Sequence, residues 1–129
     1  MIAEDCPRRW LKFKNKCFGH PPAILLSWKE AESYCQNWSP GAHLASISSE
    51  EEQTFLQQNF PQTVWLGGSD IDQEGSWIWS DGTCWNYTNW HSDEPDNSGS
   101  IQNCLLGNLN ELKWGDAYCE EKKMFVCMK

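Results

Sequence analysis

Residues Trp77-Ile78-Trp79-Ser80-Asp81-Gly82 form a short aromatic run closed by turn residues. The stretch after it, Thr83 to Gln102, is rich in Asn, Ser, Asp, Gly and Trp with almost no aliphatic side chain. Trp77–Trp79 therefore reads as a strand, Ser80-Asp81-Gly82 as its turn, and the remainder as a long irregular loop. Loops of that length inside small domains are usually functional or disordered. Upstream, Val64–Leu66 followed by Gly67-Gly68 reads as another strand; downstream, strands are expected at Cys104–Leu106, Leu112–Trp114 and Met124–Met128. Two helices precede all of these. Ser27 with Glu30 and Ser49 with Glu52 both have capping-box spacing. Trp28, Ala31, Cys35 and Trp38 line one face of the first helix before Pro40-Gly41. Phe55, Leu56 and Phe60 supply the inner face of the second before Pro61. Helices first and strands afterwards indicate an α+β domain, and 129 residues suit one domain spanning 1–129.

Composition excludes several functions. The formal net charge is −8, and the basic cluster of Arg9, Lys12, Lys14 and Lys16 is followed by acidic segments, so no nucleic-acid partner is expected. No apolar run approaches the ~18 residues that a bilayer span requires. Seven cysteines without a Cys-x-x-Cys pair or clustered Cys/His spacing suggest disulfides and an oxidising, extracellular compartment rather than a zinc site. No basic segment leading into an apolar one opens the chain, so it reads as a mature secreted form. His20, His43 and His91 are scattered without a nucleophile–base pattern, and no catalysis is expected. Glu50-Glu51-Glu52 reads as a solvated helix start placed well against the helix dipole.

Taken in order, these residues resemble the long form of the C-type lectin-like domain. The likeness runs from Cys6 to Cys127. It rests on Asp5-Cys6-Pro7, Trp10, Cys17-Phe18, Trp28 to Cys35, His43-Leu44-Ala45-Ser46-Ile47 and Trp65-Leu66-Gly67-Gly68. It continues through Trp77 to Gly82, Trp90, Glu94-Pro95-Asp96, Cys104, Trp114-Gly115-Asp116, Cys119 and Phe125-Val126-Cys127. The resemblance implies two helices flanking antiparallel sheets, a long ligand-binding loop, and three intrachain disulfides: Cys6 with Cys17, Cys35 with Cys127, and Cys104 with Cys119.

It further implies a calcium ion in the loop whose open positions take two vicinal sugar hydroxyls, chemistry that needs hard oxygen ligands beside amide donors. Glu94 and Asp96 fall at the first two ligand positions, Gln102 replaces a usual Glu, Gly115 replaces a usual Asn, and Asp116 is kept. Gly115 supplies neither a ligand nor an amide donor. Calcium is therefore expected to be weak or dispensable. An auxiliary calcium site would fall on Asp70, Glu74, Asn97 and Asn103, where two amides reduce the charge. Glu94-Pro95-Asp96 lies between the mannose-type and galactose-type patterns of the family, and its Asp inclines it toward galactosides. Trp85, Trp90, His91 and Trp114 are the aromatic candidates for stacking on a sugar, with Trp114 and His91 carried into the expected carbohydrate site.

Trp28, Trp38, Trp65, Trp77, Trp79 and Trp90 are assigned to packing, and Trp85 to contact in the loop. The sequon at Asn37 stands at a helix end before Pro40 and that at Asn86 lies beside Cys84; neither is a strong signal. By the same resemblance Cys84, the odd cysteine, matches the intersubunit disulfide of galactose-binding venom lectins. A two-fold dimer joined Cys84 to Cys84 follows, and bivalency would let a weak site agglutinate cells bearing microbial or host glycans. Two other uses of the fold compete: ice binding, and protein or mineral binding.

Overall fold

The computed structural model describes residues 6–90, 102–108 and 112–129. Along the chain the elements are β1 (Leu11–Phe13), β2 (Lys16–Gly19), α1 (Trp28–Trp38), β3 (His43–Leu44), α2 (Glu50–Asn59) and β4 (Val64–Ser69). There follow β5 (Ile78–Trp79), β6 (Gln102–Gly107), β7 (Gly115–Tyr118), β8 (Met124–Phe125) and β9 (Cys127–Met128).

α1 starts as its sequence requires. The Glu30 N–H donates to Ser27 Oγ at 3.3 Å, and the Ser27 N–H donates to Glu30 Oε1 at 3.1 Å, which completes the capping box. Trp28, Ala31 and Cys35 face the core. Trp38, expected to extend that stripe, is instead 37% exposed. It is the last helical residue, at the edge of the stripe, and packs sideways on Trp10 and Tyr34.

α2 departs from its expected cap. The Glu52 N–H donates to Ser49 Oγ, but the Glu52 carboxylate accepts from Ser48 N–H at 2.8 Å rather than from Ser49, and pairs with Lys16 at 2.8 Å. Its buried face is Glu52, Gln53 and Leu56, with Phe60 buried at the C-cap and Phe55 only half-buried.

One sheet has the order β1-β2-β9-β3; the other has β5-β4-β6-β7, with β8 parallel to the start of β4. Val126 joins them. Its N–H points to Trp65 O at 3.4 Å while its carbonyl accepts from Ala45 N–H at 2.9 Å, so the strand expected over Met124–Met128 splits into β8 in one sheet and β9 in the other. Two indoles tie α1 and the chain before it to β4: Trp28 Nε1 donates to Leu66 O at 2.8 Å and Trp65 Nε1 to Leu26 O at 3.0 Å. At Gly67 a Cβ would stand 2.7 Å from the Leu44 carbonyl oxygen, so only glycine lets β4 approach β3.

The three disulfides are those the resemblance implied: Cys6–Cys17, Cys35–Cys127 and Cys104–Cys119. The second joins α1 to β9 across a separation of 92 residues, for which loop-closure entropy predicts about 4–5 kcal/mol. The expected strand at Leu112–Trp114 does not form. Leu112 has φ +59°, and the segment turns to Asn89: Asn89 Nδ2 donates to Leu112 O at 3.2 Å and Trp114 N–H donates to Asn89 O at 2.8 Å. The strand lies one step on, as β7. Strands β1, β2 and β3 carried no sequence signal strong enough to be anticipated.

Candidate functional site

The long loop springs from a turn that is tied down on both sides. Asp81 Oδ2 accepts from Ser46 Oγ at 2.7 Å and its Oδ1 from Thr83 N–H at 2.9 Å, while Gly82 takes φ +85°. The chain then lays Trp85 across its neighbours, with ring centroids 4.5 Å from Trp79, 5.9 Å from Trp114, 6.1 Å from Trp77 and 6.3 Å from Trp90. Trp85 is thus half-buried at the centre of an aromatic cluster, a packing role where contact in the loop was expected. Gly68 makes room for it: a Cβ there would stand 3.0 Å from the Trp85 ring and 2.8 Å from Leu105 Cδ2.

Trp114 is wholly buried, and its Nε1 donates to Gln53 Oε1 at 2.8 Å. A ring closed in on all sides has no face for a sugar, so the stacking role expected of Trp114 is corrected to one of holding the loop base. Gln53 is the partner that sequence reasoning missed. An amide two residues before Phe55 on a predicted amphipathic helix reads as solvated; its burial depends on an indole 61 residues away, which no local pattern reports.

Below the loop, β7 opens with Gly115 opposite Leu106, and the next residue, Asp116, is 4% exposed opposite Leu105. Gln102 begins β6 and pairs with Tyr118. Thus Asp116 and the start of β6 are brought into one ladder. Asp70, at the end of β4, is 2% exposed; its Oδ2 accepts from Gly75 N–H at 2.9 Å, and its N–H donates to the Asn103 carbonyl at 3.1 Å. Asp70 Oδ1 is buried with no hydrogen-bond partner. Glu74 is exposed nearby in sequence. His91, Glu94, Asp96 and Asn97 lie outside the described residues. Among the described residues no three His, Cys, Asp or Glu side chains gather as a metal cage.

A calcium ion needs several oxygen ligands, mostly anionic. Asp116 and Asp70 are buried carboxylates of the right chemistry, and the unpartnered Asp70 Oδ1 is an acceptor that a cation would satisfy. Gly115 contributes no side chain. The described donor set fits calcium in part.

The flank of the loop is polar. Tyr87 donates its hydroxyl to Glu50 Oε1 at 2.9 Å, and burial, then the acceptor carboxylate, pushes its ionisation well above the ordinary phenol range. Cys84 is an exposed free thiol. Among the described residues no helix is long and apolar enough to cross a membrane.

Residues 24–129 match the Lectin C-type domain family. The chain is 40% identical to a lectin of Pleurodeles waltl over 96% of its own length and 76% of the relative's. It is 35% identical to a mannose-binding isoform of a C-type lectin of Notechis scutatus scutatus (95% of this chain, 82% of the relative). It is 32% identical to the galactose-specific lectin nattectin of Thalassophryne nattereri (97% and 80%). Among solved structures, it is similar to the cow carbohydrate-recognition domain of CD23 with a GlcNAc2Man3 oligosaccharide, at TM-score 0.89 and 34% identity over 98% of this chain and 97% of that one. It is also similar to a calcium-independent type II antifreeze protein, at TM-score 0.89 and 33% identity over 99% and 96%. With the expected disulfides, the two-sheet topology and the tryptophan-packed loop base in place, the chain belongs to the C-type lectin domain family.

Proposed function

We propose that residues 1–129 form one secreted carbohydrate-recognition domain that binds galactosides on cell-surface or microbial glycans, with calcium weakly held or dispensable. The observation that carries this is the start of β7, where Gly115 offers neither ligand nor amide donor and Asp116 follows as a buried carboxylate. Glu94, Asp96, Gln102 and Asp116 are the residues we assign to the ion and the sugar, with His91 beside them. The galactose-specific name of nattectin supports the sugar class. The mannose-binding name of the Notechis relative supports the alternative that the test must separate. Asp70, Glu74, Asn97 and Asn103 form the proposed auxiliary site, supported by the unpartnered Asp70 Oδ1.

Exposed Cys84 would join two copies across a two-fold axis and make each weak site bivalent. Hapten inhibition of agglutination, run with calcium and with chelator, tests the whole proposal. Lactose should block agglutination better than mannose in both arms. Loss of all binding in chelator refutes calcium independence, and preference for mannose refutes the sugar class. A non-reducing gel should show a band at twice the chain mass that collapses with reductant; a band at one chain mass refutes the dimer.

Ice binding is the second proposal, favoured by the likeness to a calcium-independent antifreeze protein. Thermal hysteresis in the cold, without agglutination, would select it.

A further inference from the structure

On another part of the surface, a cavity of about 640 Å³ opens against the first sheet and the last turn of α1, sharing no residue with the loop. Ligand sites commonly measure about 300–1,000 Å³. Its walls carry Arg8, Arg9 and His20 together with Ile24, Tyr34 and Trp38, and among the described residues no carboxylate lines it. On a chain with net charge −8, the described lining of this basin carries arginines and no acid.

The backbone that carries its two exposed arginines is held in place. Arg8 and Arg9 are the central residues of a turn closed by Trp10 N–H donating to Pro7 O at 2.9 Å. The turn is stapled at one end by Cys6–Cys17 and anchored at the other by buried Trp10. Arg9 sits at φ +74°, a left-handed conformation that L-residues seldom adopt. Neither guanidinium has an acidic partner among the described residues. His20 donates Nδ1–H to Phe125 O at 3.0 Å, which leaves its Nε2 as the free ring nitrogen. Trp38 packs on Trp10 at 4.9 Å with the rings tilted and meets Tyr34 edge-on at 5.6 Å, yet remains 37% exposed, so its ring is braced by two aromatics and still reaches solvent.

We propose that this cavity is a second saccharide site, for a sulfated sugar, that works without calcium. Two adjacent guanidinium forks match the oxygens of a sulfate, and the braced aromatic pair offers a platform for the C–H face of a pyranose ring. An acidic peptide would satisfy the arginines but would leave the aromatic platform unused.

The test is an NMR titration of the full chain in chelator with excess lactose, using a sulfated heparin disaccharide, its desulfated counterpart and a tetraglutamate peptide. Saturable shifts at the side-chain N–H groups of Arg8, Arg9 and Trp38 are expected with the sulfated disaccharide and not with the desulfated one. Arg8→Gln with Arg9→Gln should weaken it at least about tenfold, and Trp38→Ala several-fold, while lactose-inhibited agglutination stays unchanged. Absence of saturable shifts, or unchanged affinity in both variants, overturns the proposal. Equal binding of tetraglutamate overturns it in favour of an acidic peptide. Because lactose saturates the loop and chelator removes calcium, failure here leaves the galactoside proposal standing, and the converse holds too.

Discussion

Two tryptophan clusters in this molecule use the same side chain for opposite purposes. At the loop base Trp77, Trp79, Trp85, Trp90 and Trp114 pack on one another, largely edge to face, and Trp114 is sealed from solvent with its N–H satisfied by Gln53. At the end of α1, Trp10 and Trp38 stack as closely, but Trp38 keeps an open face beside charged residues. The loop base has irregular chain on one side, so large flat rings must fill the space that aliphatic side chains fill elsewhere. The end of α1 already rests on a sheet and two disulfides, which leaves its last ring free for the surface. A tryptophan's role here follows from how much chain lies above it.

Truncation should separate the clusters most sharply. Trp114→Ala should cost about 3–5 kcal/mol in urea denaturation, with Gln53 Oε1 left without its donor as a further loss. A cost near that of a surface change would erase the contrast. Gly68→Ala, which drives a Cβ toward Trp85 and Leu105, should cost about 1–3 kcal/mol and red-shift tryptophan emission as the cluster opens. An unchanged spectrum would mean that Trp85 is not held by β4.

Trp38→Ala should cost about 1 kcal/mol or less, because one face already lies in solvent; a loss as large as that at Trp114 would place it in the core after all. The smallest effect concerns pH. Tyr87 is held neutral in the folded state past its ordinary value of 10.0. Above that pH the unfolded chain gives up a proton that the folded chain keeps, so this contribution to stability is present below pH 10 and falls as pH rises beyond it. Tyr87→Phe should flatten the alkaline limb of the stability curve and remove the slowest-ionising tyrosine from a spectrophotometric titration. An unaltered titration would break the link to Glu50.

The proposed sites were legible to different degrees. The α1 cap could be read from Ser27 and Glu30 because it is a contact within four residues. The α2 cap looked the same in sequence, yet Glu52 was drawn instead to Ser48 and to Lys16 of β2, a partner from the other end of the first sheet. Trp114 carried a family position but not its burial. Of the arginine turn, Arg9 alone was visible, as part of a basic cluster, because Arg8 and Arg9 acquire meaning when Trp38 and Tyr34 of α1 fold alongside them.

The sequence pointed to both helices and, through its resemblance to a family, to the fold and the three disulfide pairs. The helices are written in local periodicity and caps, whereas the disulfide pairs could be read only through the resemblance. Only the tertiary structure decided which tryptophans are scaffold and which are surface, where the final strand passes from one sheet to the other at Val126, and that Arg8 and Arg9 line a cavity with Trp38. Those properties depend on which distant segments meet, and burial and electrostatic environment are set by that meeting rather than by any stretch of chain on its own.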